Sequence, residues 1–255
     1  MSQLEKIRHH LHTLRMPTSI EIVGELLLTA TRETWSLETF LSELLEQEME
    51  GRRQRRLERL QKESHLPAGK ILANFEQEHL PLQLRRQLAQ LCTAEFVSRA
   101  ENLLIFGLPG RGKTHFAVAV GHQLIQAGHS VLFTPTFRIV DDLLRAKRDL
   151  LLEQELRRLD TFEVLILDDL GYVQQSRDEM EVLFTLLAER YERRSVIITS
   201  NLVFSQWDQI FKDPLTTAAA IDRVVHHSVI VEFGQEITSH RAQEAALRIQ
   251  QQNPV

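Results

Sequence analysis

Leu103-Leu-Ile-Phe-Gly-Leu-Pro-Gly-Arg-Gly-Lys-Thr-His-Phe116 decides how this chain is read. A short apolar run leads into a Gly-x-x-x-x-Gly-Lys-Thr pattern, Gly107 to Thr114, and a helical pattern then continues to Gln126. The pattern therefore lies between a strand and a helix, which is the context a phosphate-binding loop requires. Glycines at 107, 110 and 112 let the backbone turn tightly and aim successive N–H groups at β-phosphate oxygens, with the positive end of a helix dipole behind them. Gly107, Leu108, Pro109, Gly110, Arg111, Gly112, Lys113, Thr114 and His115 are the expected nucleotide-binding residues. Lys113 would bridge the β- and γ-phosphates, and the Thr114 hydroxyl would hold Mg2+.

Farther along, Val164-Leu-Ile-Leu-Asp-Asp169 has the form of a buried strand ending in two carboxylates, where α/β sheets place their ligands. This reads as a Walker B segment: Asp168 would hold Mg2+ through water, and Asp169 would polarise the attacking water. The next strand pattern, Ser195-Val-Ile-Ile-Thr199, ends in Ser200-Asn201. A side-chain amide at that tip could orient the water beside the γ-phosphate, so Asn201 is the first candidate and Thr199 and Ser200 the next. The plainer alternative is a helix or turn cap.

Outward from these segments, strand-like runs at 102–106, 130–134, 164–168, 195–199 and 228–233 alternate with helical pattern, which predicts a mostly parallel α/β sheet. One helix is expected over 82–98 and another over 239–252. The first third reads as helix after helix, with Ser36 as N-cap of a long helix reaching about Ser64. Leu66-Pro-Ala-Gly69 is the first convincing break, so a helical domain over 1–66 is expected ahead of an α/β domain over 67–255.

The remaining arithmetic excludes several classes. Across 255 residues the chain is 43% hydrophobic and 25% charged, with 10 Gly and 7 Pro, which argues against disorder and low-complexity architecture. Cys92 is the only cysteine, so neither an intramolecular disulfide nor a cysteine-based zinc site can be built, and a reducing cytoplasm is the expected location. The N-terminus is polar and the apolar runs are too short to span a bilayer. The histidines show no metal-ligand or nucleophile spacing and are read as solvent or packing residues. Net charge is −5, yet five acids and no base occupy 38–50, while six bases against Glu58 occupy 52–62. Any nucleic-acid surface must come from such local patterning.

Phosphate-loop classes are separated by what accompanies the loop. No Asn-Lys-x-Asp guanine reader and no Leu-Ser-Gly-Gly signature occur. A small-molecule kinase stays open as a phosphoryl-transfer alternative, though a separate basic helical domain is not what such an enzyme needs. The residues themselves carry a resemblance: Leu14-Arg-Met-Pro17, Phe40-Leu41 with the acidic-then-basic stretch, Leu66-Pro-Ala-Gly-Lys70, Gly107 to Phe116, Leu167-Asp-Asp-Leu-Gly-Tyr172, Arg190-Tyr-Glu-Arg-Arg-Ser195, Ile198-Thr-Ser-Asn201 with Trp207 and Phe211, and Ala220-Ile-Asp-Arg-Val-Val-His226. In these blocks the chain resembles the IstB-type helper ATPases of bacterial insertion sequences, AAA+ proteins close to the DnaC helicase loader and the DnaA initiator.

That resemblance implies an AAA+ P-loop NTPase core with a parallel five-stranded sheet between helices, preceded by a small all-helical N-terminal domain. It also implies ATP hydrolysis, self-assembly on duplex DNA with ATP at subunit interfaces, and stimulation of a partner transposase. A DnaC-like replicative helicase loader is the alternative. By the family pattern Arg223 is the cation offered to a neighbouring subunit's γ-phosphate, with Arg193 and Arg194 next, and Arg241 in Ser239-His-Arg241 is the sensor from the C-terminal helix. DNA phosphates would be met by Arg52, Arg53, Arg55, Arg56 and Arg59 together with Arg145, Lys147 and Arg148, giving weak sequence preference and steep salt dependence. Intrahelical pairing, such as Glu48 with Arg52, is the competing use of that charge. Three positions depart from the family: Asp169 where many relatives have Glu, His240 where Tyr is usual, and Arg111 where Thr is commoner.

Overall fold

The computed structural model of the chain describes residues 2–75, 77–171, 176–202 and 224–234. It divides into two compact units, residues 1–59 and 60–255, and the division falls inside a long helix ahead of the Leu66–Gly69 break.

The first unit is built from α1 (Gln3–Thr13), α2 (Pro17–Arg32) and all but the last turn of α3 (Leu37–Glu63). Each helix begins for a local reason. Ser2 and Glu5 form a capping box at α1, Pro17 stands in the first turn of α2, and the Thr39 N–H donates to Ser36 Oγ at the start of α3. Leu11, Val23 and Leu44 form the buried centre, with Leu4, Ile7, Ile20 and Phe40 packed around them. One carboxylate shares this interior. Glu48 is buried, and its Oε2 accepts from the Ser19 N–H at 2.9 Å and from Ser19 Oγ at 3.2 Å, while its Oε1 accepts from Arg52 Nε at 2.9 Å.

After two short 3-10 turns the second unit continues with α4 (Leu82–Leu91) and α5 (Glu95–Ser98). A single helix over 82–98 was the expectation, but the chain breaks at 92–94, where Thr93 Oγ1 donates to the Gln90 carbonyl at 2.8 Å and Ala94 turns to φ 63. A threonine hydroxyl that takes a terminal carbonyl in this way competes with helix continuation.

The α/β part then runs β1 (Asn102–Gly107), α6 (Lys113–Gln126), β2 (Val131–Pro135), α7 (Thr136–Arg148), α8 (Leu152–Asp160), β3 (Val164–Leu170), α9 (Arg177–Arg190), β4 (Ser195–Ser200) and β5 (Ser228–Phe233). All pairings are parallel, in the order β2-β3-β4-β1-β5. The strands read as continuous apolar runs because both sheet faces are covered. Leu104, Phe106, Leu165, Leu167, Val196 and Ile198 pack with Leu143, Leu183 and Leu186 on one side. Both edges are occupied within the unit: Phe133 N–H on β2 donates to Ser64 O at 2.8 Å, and Gln87 Nε2 donates to Ile230 O on β5 at 3.3 Å.

Arg190 is among the largest fully buried side chains of the described residues. Its guanidinium donates to the carbonyls of Leu159, Phe162, Glu163 and Ser195 at 3.0–3.1 Å, tying the end of α8 to the starts of β3 and β4. Burial pushes its pKa down to about 10, against the pull of Asp160, so it stays charged at neutral pH. Arg193, a candidate from the sequence, pairs with Asp160 at 2.9 Å and with Glu189 at 3.6 Å. The helix expected over 239–252 lies outside the described residues.

Candidate nucleotide-binding site

Strand order builds the site. Lys113 and Thr114 follow β1, Asp168 and Asp169 end β3, and β4 lies between β1 and β3, so the tip of β4 stands between the two motifs. Ligands gather at this carboxyl edge in open α/β sheets.

The loop from Gly107 to Gly112 holds three glycines at positive φ: 148, 79 and 96 for residues 107, 110 and 112. At Gly107 a Cβ would come within 2.7 Å of both Phe233 Cβ and the Phe233 carbonyl, so the backbone of β5 itself forbids a side chain there. Gly112 is the N-cap of α6 in the left-handed conformation and offers no side-chain cap, which leaves the first-turn N–H groups of α6 for an anion. Leu108 and Pro109 form the exposed crest of the loop, and Gly110 and Arg111 are half-buried.

Lys113 is buried, and its ammonium donates to the Gly107 and Leu108 carbonyls at 2.6 and 3.0 Å and to Asn201 Oδ1 at 2.6 Å. Asn201 Nδ2 donates in turn to Asp169 Oδ1 at 3.0 Å. A second chain runs beside the first. Thr114 Oγ1 and Thr199 Oγ1 donate to Asp168 Oδ1 at 2.9 and 2.7 Å, and the Asp169 N–H donates to Thr199 Oγ1 at 2.9 Å. Lys113, Thr114, Asp168, Asp169 and Asn201, chosen from three separate stretches of sequence, thus meet in one hydrogen-bonded group. Its donor set is a hydroxyl and a carboxylate side by side, an oxygen-only pair that suits Mg2+. Asp169 takes φ 64, an uncommon conformation for a non-glycine residue and one that recurs at functional sites.

The chain as a whole is similar to known proteins. The family described as IstB-like ATP binding protein matches residues 9–246. The chain belongs to the IstB-like ATP-binding protein family. An insertion sequence ATP-binding protein of Sinorhizobium fredii (strain NBRC 101917 / NGR234) is 42% identical over 239 residues, covering 93% of this chain and 80% of that protein. Among solved structures, the replication initiator DnaA bound to AMPPCP and single-stranded DNA aligns with TM-score 0.56 and 16% identity over 75% of this chain and 58% of that one. The DnaC helicase loader aligns with TM-score 0.50 and 20% identity over 59% of this chain and 88% of that one. These likenesses give the IstB-like chain an AAA+ fold, with its phosphate loop, parallel sheet and helical N-terminal region.

Sequence reading missed the segment ahead of β1. His115 Nε2 donates to the Ile71 carbonyl at 3.2 Å, and the His115 ring lies 4.9 Å from that of Phe75, which also approaches Phe116. Residues 71–75 therefore flank the loop, and no motif marks them because their contacts are made across the fold. Thr136 was missed as well: its hydroxyl donates to the Asp168 carbonyl at 3.0 Å. Arg223 and Arg241, with Tyr172, Trp207 and Phe211, lie outside the described residues.

The basic residues proposed for DNA are not equivalent. Arg52 and Arg55 both reach the buried Glu48, at 2.9 and 3.4 Å, and also bond to the Arg15 carbonyl and to Thr18 Oγ1. Burial acts to raise the Glu48 pKa, but the Ser19 N–H and the Arg52 guanidinium outweigh it and hold the carboxyl below its ordinary value. Arg53 pairs at the surface with Glu50 at 3.3 Å, and Arg56 and Arg59 are exposed. On α7, Lys147 pairs with Glu181 at 2.9 Å, Arg148 Nε donates to the Leu144 carbonyl at 3.3 Å, and Arg145 is exposed.

Proposed function

We propose that this chain is an Mg2+-dependent ATPase that binds duplex DNA with little sequence preference, assembles with ATP at subunit interfaces, and stimulates or targets a partner transposase in the reducing cytoplasm. The observation that carries the ATPase part is the convergence of Lys113, Asn201 and Asp169 in one hydrogen-bonded line, with Thr114 and Asp168 beside it.

The roles follow from chemistry. Lys113, with the N–H groups opening α6, binds phosphate oxygens. Thr114 and Asp168 would hold Mg2+, which would supply neutralisation of the phosphate charge. Asp169 orients and deprotonates the attacking water, and Asn201 keeps that carboxylate at a set distance from the Lys113 ammonium. A carboxylate serves here because its oxygens can accept a proton and it is already aimed by its amide partner. Arg223 would complete the site of a neighbouring subunit, since an arginine is always charged and forks onto phosphate oxygens. Arg241 would touch the phosphates as well.

DNA and transposase enter through the relatives. The 42%-identical protein is named for an insertion sequence, and a DnaA of the same fold is titled as bound to single-stranded DNA. The similarity to the helicase loader is at 20% identity, a level that speaks of fold, so the transposition reading is preferred. Among the described residues no helix is long and apolar enough to cross a membrane.

The test is binding of a random-sequence duplex across a salt series, with ATP–Mg2+ and ADP–Mg2+ in parallel, alongside ATP turnover. Salt-steep binding that appears only with ATP supports the proposal. Turnover indifferent to DNA, with no duplex binding, returns the small-molecule enzyme. Arg223→Ala should lose turnover only at protein concentrations where wild type assembles; full activity of that variant throughout would remove the interface role.

A further inference from the structure

We infer that Thr199 is a positioning residue that sets both acidic residues at the end of β3 in their working orientation; its consequence for turnover rests on the ATPase reading above. In a regular strand neighbouring side chains point to opposite faces, so two successive carboxylates cannot both address one site. Here the β3–β4 ladder pairs Leu167 with Ile198 and resumes at Leu170 with Ser200. Two residues of β3, Asp168 and Asp169, therefore stand against Thr199 alone. Such a bulge re-aims side chains at the cost of local ladder register.

The hydroxyl of Thr199 occupies the resulting gap in both directions. It accepts from the displaced Asp169 N–H at 2.9 Å and spends its own proton on Asp168 Oδ1 at 2.7 Å. Thr199 is 1% exposed, so water has no access to replace it. The same oxygen thus steadies the left-handed backbone of Asp169, whose carboxylate turns toward Asn201, and holds the Asp168 carboxylate toward Thr114. Thr136, 2% exposed, pins the Asp168 carbonyl from the other flank, which leaves rotation of the Asp168 carboxylate and the backbone at Asp169 as the freedoms that Thr199 removes.

The decisive comparison is wild type, Thr199→Val and Thr199→Ser. Valine preserves shape and deletes the hydroxyl; serine keeps the hydroxyl and deletes the methyl. Amide exchange at Asp169, measured on the nucleotide-free full chain, should be about tenfold faster in Thr199→Val and return toward wild type in Thr199→Ser. Binding of a fluorescent ATP analogue titrated with Mg2+ should show an Mg2+ midpoint raised about tenfold in the valine variant only. Its kcat should fall by roughly tenfold or more while KM for ATP moves less than about threefold. Unaltered Asp169 exchange in Thr199→Val, or equal defects in the valine and serine variants, would overturn the assignment. If Thr199→Val does not fold, as judged by thermal melting, Thr199→Ala supplies the same comparison. Absence of turnover in wild type would defeat the ATPase reading and still leave amide exchange to decide the role of Thr199.

Discussion

Two polar clusters in this molecule are made from nearly the same parts. In the first unit a carboxylate, Glu48, is met by Ser19, Arg52 and Arg55; in the second, Asp168 and Asp169 are met by Thr114, Thr199, Asn201 and, through the amide, Lys113. Glu48 lies on a regular helix, is 3% exposed, and its partners close around it from α2 and its own helix. Asp169 lies at a bulged strand end, is exposed, and takes a left-handed backbone. The Glu48 cluster satisfies its charges internally and so holds helices together. At the carboxyl ends of the strands the strained backbone lies where, on the proposed function, a phosphate and a metal would be held. Residue type alone therefore does not separate structural from functional charge; backbone geometry and direction do.

Lys113→Ala gives the sharpest contrast, with nucleotide affinity expected to fall on the order of 100-fold through loss of charge-assisted bonds, measured with a fluorescent ATP analogue, and little change in melting of the helical unit. Asp169→Asn should leave that affinity within about threefold while turnover drops by roughly 10²- to 10⁴-fold, the usual contribution of a positioned base. Intact turnover in Asp169→Asn would place the water-activating group elsewhere.

Glu48→Ala is the reciprocal experiment. Removing the carboxylate leaves the Ser19 N–H and two guanidiniums short of an acceptor, and should cost about 1–3 kcal/mol in urea unfolding without altering nucleotide binding. Its pH dependence has a defined sign. Because the folded pKa of Glu48 lies below the ordinary 4.5, its contribution is present in full above that pH and is lost as pH falls through the folded value. Glu48→Gln should therefore flatten the stability profile below about pH 4.5, and an unchanged acid limb would show that other carboxylates govern it.

The smallest expected effect concerns DNA. Neutralising Arg53, Arg56 and Arg59 to Gln should reduce the salt slope of duplex binding by up to about 0.9 for each DNA phosphate that these side chains neutralise. Neutralising Arg52 and Arg55 should instead lower stability, since these two hold Glu48. An unaltered slope in the triple variant would leave this helix with a protein-docking or structural task.

How much was legible in advance differs by feature. The loop from Gly107 to Thr114, the acids at 168 and 169 and the five strand positions follow from contiguous pattern, and the sheet has strands at those places. The interruption at 92–94 was not legible, because apolar spacing continues through it while the Thr93 side-chain bond to Gln90 and the left-handed turn at Ala94 mark the break. Nor was the divided use of the basic run. Arg52 could be paired with Glu48 by helical spacing, but the partnership of Arg55 with Thr18 and of Glu48 with Ser19 joins residues from different helices.

By itself the sequence determined the class of the second unit and the chemistry available to it, since a phosphate loop is a local object: a tight turn, a lysine and a hydroxyl need only a strand before them and a helix after. Tertiary structure alone decided what those groups meet. Strand order inserts β4 between β1 and β3, and a one-residue bulge lets Thr199 face two acids at once. No local pattern encodes either fact, because both arise from hydrogen bonds between segments that only packing of the sheet brings within reach.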